Sequence, residues 1–114
     1  MTKDYKLYIE DMLESIEHID SFLESINEEQ FSRDVQLQDA VIRRLGIIGE
    51  ASTKLPNETR EKAPKIPWKS IIGLRNIVIH EYSNIKLGEV WDGVQNDLPS
   101  LKDELKQLLA LLKR

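Results

Sequence analysis

The chain has 114 residues with a formal charge of −4, 40% hydrophobic and 32% charged residues, and no cysteine. That length supports one domain, residues 1–114, around a single core, and the missing cysteines exclude a disulfide framework, a thiolate nucleophile and a cysteine zinc site. Mixed charge from Met1 to Lys6 and no run near the ~18 apolar residues of a membrane span lead us to expect a soluble cytoplasmic protein.

Tyr8/Ile9, Met12/Leu13, Ile16, Ile19, Phe22/Leu23 and Ile26 recur at steps of three and four, which predicts one long amphipathic helix ending near Asn27. Ser32 or Asn27 is expected to cap a second, in which Val35, Ala40/Val41, Leu45, Ile48, Ala51 and Leu55 keep helical spacing up to Pro56. Gly46 and Gly49 interrupt it. Each costs about 1 kcal/mol against alanine in a helix interior, which calls for a reason such as close approach of another helix. A short charged turn is expected from Pro56 to Thr59, then a connector bracketed by Pro64 and Pro67. Trp68, Ile71/Ile72, Leu74, Val78 and Ile79 carry a third helix, broken at Ser83-Asn84. A short fourth begins at Leu87, and a fifth, with Pro99 in its first turn, carries Leu101, Leu105, Leu108/Leu109 and Leu112. No strand alternation is visible, so the expected fold is an all-α up-and-down bundle of four to five helices.

Charge is unevenly placed. Residues 1–34 carry Lys3, Lys6 and Arg33 against ten carboxylates, whereas residues 57–86 carry six basic against three acidic side chains. Either both are solvated faces, or the second is a positive field over an RNA or nucleotide site. That basic segment contains Arg75-Asn76-Ile77-Val78-Ile79-His80-Glu81-Tyr82, with one of only two histidines. A fixed cation, a titratable imidazole and a phenol in an apolar segment are suited to phosphate chemistry. On a straight helix Asn76 and His80 share a face, whereas Arg75 and His80 are roughly 140° apart. Either the helix ends near His80, or the same segment of a second subunit completes the site. Taken singly, His80 reads as a structural histidine, Arg75 as a salt-bridge partner of Glu50 and Tyr82 as a hydrogen-bonding aromatic. His18, beside Glu14 and Glu17, reads as a solvated surface residue, and the carboxylates share no metal-ligand spacing.

The order Arg-Asn, three apolar residues, His, one residue, Tyr resembles the Arg-x4-His-x-Tyr motif of the HepT toxins, of the DUF86 type, a branch of the all-α HEPN superfamily. The resemblance extends to the block from Arg43 to Ala51, to Pro67-Trp68, and to Val90-Trp91 and Leu98-Pro99. It implies a HEPN-like fold and a metal-independent endoribonuclease, the toxin of a toxin–antitoxin pair, with no cofactor and a composite active site in a homodimer. Arg75 would hold the scissile phosphate, His80 would move a proton, and Asn76 would orient the imidazole or the phosphate. Tyr82 would be the residue that a nucleotidyltransferase antitoxin modifies with AMP. Glu50 would support Arg75, either by positioning it or by offsetting the cost of burying it. Two other readings stand beside this one: a noncatalytic nucleotide-binding or adaptor subunit for a nucleotidyltransferase, and a structural dimerisation bundle.

Overall fold

The structure, a computed structural model, describes residues 4–79 and 86–114. Seven helices occur among them: α1 (Tyr5–Phe22), α2 (Glu28–Arg33), α3 (Val35–Thr53), α4 (Asn57–Arg60), α5 (Trp68–Ile79), α6 (Leu87–Asn96) and α7 (Leu98–Leu112). The all-α class is as expected. The five longer helices correspond to the five apolar stripes, and α2 and α4 are short turns of helix in the connectors.

The Asp4 carboxylate starts α1 by accepting from the Lys6 N–H at 3.1 Å. Its stripe of Ile9, Met12, Ile16 and Ile19 is buried. The helix ends at Phe22, earlier than the apolar spacing suggests, and the chain turns through Ser25 at φ 63°. Leu23 still reaches the core from this turn, so the hydrophobic period outlasts the helix. Asn27 is a start signal, not a stop. Its side chain accepts from the Gln30 N–H and the Gln30 side chain accepts from the Asn27 N–H, which closes a capping box at the head of α2. That short helix buries Phe31 against Trp91 of α6, with ring centroids 5.6 Å apart.

Asp34, rather than Ser32 or Asn27, caps α3, its carboxylate accepting from the Leu37 N–H at 3.0 Å. The Ser32 hydroxyl is used differently and donates to the Glu29 carbonyl. From α3, Val41, Leu45, Ile48 and Ala51 enter the core. Each fully buried aliphatic side chain contributes about 1.5–3 kcal/mol. α3 lies between α1 and α5; α7 packs on α1 and α6, and α2 touches α3 and α6.

The connector to α5 is held by its own side chains. The Trp68 indole N–H donates to the carbonyls of Arg60 and Ala63 at 3.1 and 3.2 Å, and the Arg60 guanidinium donates to the Ser52 carbonyl at 3.1 Å. The Pro67 carbonyl accepts from the Ile71 N–H, so the proline stands just before α5, one residue ahead of the first turn that its fixed φ suits. Pro99 occupies the first turn of α7. The break expected at Ser83-Asn84 lies outside the described residues.

Candidate active site

The position of the motif follows from one glycine. A Cβ built on Gly49 of α3 would lie 2.6 Å from the Arg75 nitrogen, 2.9 Å from the Ile71 oxygen and 3.2 Å from the Ile72 oxygen. All three are backbone atoms of α5. The helices therefore meet backbone to backbone at Gly49, which is the close approach that its cost in helix propensity calls for. Gly46 is half-buried one turn earlier.

This approach sets Arg75 beside the α3 residue that follows Gly49. Arg75 Nη1 stands 3.7 Å from Glu50 Oε2, and the two side chains are 45% and 52% exposed. The expected partnership between Arg75 and Glu50 is thus present as a contact. Within the single chain neither group is buried, so the contact offsets no burial cost there. Lys54 Nζ approaches the other oxygen of the same carboxylate, Oε1, also at 3.7 Å. Both separations are longer than the ~2.7–2.9 Å of a charge-assisted hydrogen bond, and exposed ion pairs contribute about 0–1 kcal/mol.

Asn76 follows on the exposed surface of α5. His80 and Tyr82 lie outside the described residues. Among the proposed site residues the structure therefore brings Arg75 and Glu50 together and places Asn76 on the same stretch of helix. Lys54 was not singled out by the motif. Its sequence signal is the spacing Glu50 to Lys54, four residues apart with the acid first, a favourable helical pair.

His18 is at the surface, as its acidic neighbours suggest: its Nε2 is 3.5 Å from Glu14, and its ring packs beside Phe22. Among the described residues no group of three or more His, Cys, Asp or Glu side chains is arranged to hold a metal ion, and no helix is long and apolar enough to cross a membrane. A cleft of about 670 Å³ opens between Ser70, Ile71 and Leu74 of α5 and Val90, Val94 and Leu101 of α6 and α7. Arg75 and Asn76 do not line it. The motif's cation and amide face open solvent, an arrangement suited to contact with an extended polymer more than to enclosure of a small molecule.

The chain matches the family described as ribonuclease HepT-like over residues 12–108. It is 44% identical over its full 114 residues to a Methanocaldococcus jannaschii protein named "Gamma-glutamylcyclotransferase and putative RNase", of which it spans only 51%. It is 41% identical over 108 residues to "Probable ribonuclease HepT" of Thermococcus cleftensis, covering 95% of this chain and 98% of that one. It is also 38% identical over 102 residues to a "Putative RNase" of Caldanaerobacter subterraneus subsp. tengcongensis, covering 90% and 91%. No solved structure matches. An all-α chain whose α5 presents Arg75 and Asn76 to solvent just before His80 thus belongs to the HepT-like ribonuclease family.

Proposed function

We propose that the protein is a metal-independent endoribonuclease, the toxin of a toxin–antitoxin pair, acting in the cytoplasm as a homodimer with a composite active site. The observation that carries this reading is the exposed Arg75-Asn76 pair on the helix that leads into His80 and Tyr82, in a chain of a ribonuclease family. Arg75 binds the scissile phosphate, because a planar guanidinium fork matches two phosphate oxygens and stabilises charge as it develops on them. His80 is the general acid or base, since an imidazole titrates near neutral pH and transfers protons in either direction. Asn76 orients the imidazole or the phosphate.

In this chemistry the RNA 2′-oxygen loses its proton and attacks the adjacent phosphorus. The new 2′-oxygen to phosphorus bond forms as the bond to the 5′-oxygen breaks. The leaving oxygen takes up a proton, which leaves a 2′,3′-cyclic phosphate on one fragment and a 5′-hydroxyl on the other. The nucleophile belongs to the substrate, so no metal-bound water is required. Arg75 and His80 would diverge by roughly 140° on a regular helix, so they converge either because the helix ends near His80 or because the same segment of a second subunit completes the site.

Control acts through Tyr82. A nucleotidyltransferase partner transfers AMP from ATP to the tyrosine oxygen and releases pyrophosphate. The added anion then competes with substrate phosphate near Arg75. The net charge of −4 favours a second reading, a noncatalytic adaptor for such an enzyme. Cleavage of RNA by purified protein separates the two. Arg75→Ala and His80→Ala should each lower cleavage at least about 100-fold while the fold is retained. RNA left intact by the unmodified, folded wild type would favour the adaptor.

A further inference from the structure

Two cations from different helices meet on one carboxylate beside the motif. Arg75, from α5, and Lys54, which closes the C-terminus of α3, each stand 3.7 Å from a different oxygen of Glu50. The Lys54 and Glu50 side chains are both 52% exposed, so water screens the cluster and its contacts are inexpensive to break. A carboxylate held loosely between two cations occupies the position where a phosphate would be held tightly, because both groups present paired anionic oxygens to the same donors.

The geometry points to Lys54 as a second phosphate-binding cation of the RNA site, with Glu50 as the resident carboxylate that substrate phosphate displaces. This rests on the ribonuclease reading and on Arg75 as a phosphate ligand, neither of which assigns Lys54 a role. The two cations differ in a useful way. The guanidinium is a fixed fork suited to the phosphate undergoing reaction, whereas the ammonium is a mobile point charge suited to a neighbouring phosphate of the strand. Arg43, seven residues before Glu50, returns to the same face of α3 by helical register. It is exposed and forms no ion pair among the described residues, so it extends the cationic edge away from Lys54. Glu50 has two opposed effects: it keeps Arg75 and Lys54 together, and it subtracts from the field that attracts RNA.

The test is binding and cleavage of a fluorescent single-stranded RNA across a salt series by wild type, Lys54→Ala, Glu50→Gln and Lys102→Ala. Lys102 pairs with Asp20 at 3.2 Å on the α1–α7 side and controls for loss of one positive charge. Lys54→Ala should weaken RNA binding several-fold, raise KM by more than it lowers kcat, and flatten the log–log salt dependence by about 0.7. Glu50→Gln should bind RNA more tightly than wild type. Lys102→Ala should match wild type. If wild type cleaves RNA and Lys54→Ala behaves like Lys102→Ala, or if Glu50→Gln binds more weakly than wild type, the inference is overturned and the ribonuclease reading stands. A folded, unmodified wild type that neither binds nor cleaves RNA removes that reading and the inference with it.

Discussion

A methyl group at Gly49 would meet backbone atoms, which cannot rotate out of the way as a side chain can. With contacts at 2.6 and 2.9 Å, Gly49→Ala must push α5 away from α3. The expected cost is about 1–3 kcal/mol, read as a lower denaturation midpoint in urea with an unchanged slope. The same displacement moves Arg75 relative to Glu50, so cleavage should fall in protein that remains folded. Tyr82 gives a residue-scale prediction of the opposite kind. On the proposed control, Tyr82→Phe removes only the oxygen that would accept AMP, so cleavage should persist while a nucleotidyltransferase partner fails to neutralise it. Silencing of this variant by the partner would eliminate the role. The contact between Arg75 and Glu50 was legible in the sequence as charge pairing. Their exposure was not, because the apolar neighbours Ile71, Ile72 and Leu74 make the segment look buried, yet those residues are themselves only half-buried.

Within α5, Gly73 contrasts with Gly49. Among the described residues a Cβ added there meets nothing within 4 Å, so none of their contacts accounts for its cost in helix propensity. Gly73→Ala should therefore stabilise the monomer by up to about 1 kcal/mol in chemical denaturation. Destabilisation that grows with protein concentration would instead show a second surface packed on this face, as a homodimer through α5 requires. Helix identity was readable from apolar spacing for all five longer helices. Boundaries were less so. Phe22, Leu23 and Ile26 continue a helical period beyond the helix because a turn delivers Leu23 to the same core. The polar residues Asn27, Ser32 and Asp34 are each plausible caps by type, and only the hydrogen bonds distinguish their uses.

Across the whole molecule, acidic residues dominate positions 1–34 and basic residues positions 57–86, so on the proposed function the attraction for RNA comes from part of the chain and not from its net charge. Binding should therefore depend on a few phosphates and be moderately sensitive to salt. The fold contributes by holding α3 and α5 in backbone contact, so that Arg75, Glu50 and Lys54 form one exposed cluster; His80 and Tyr82 follow Arg75 in the sequence. Family membership and the motif together were legible from the sequence, whereas the convergence of Lys54 required the structure, since its spacing from Arg75 along the chain carries no periodic signal. The most direct test of the account is to incubate purified, unmodified protein and its His80→Ala variant with total RNA in the presence of chelator and identify the fragment ends. Cleavage by wild type alone, leaving 2′,3′-cyclic phosphate and 5′-hydroxyl ends, is the predicted result; intact RNA, or equal cleavage by the His80→Ala variant, would contradict it.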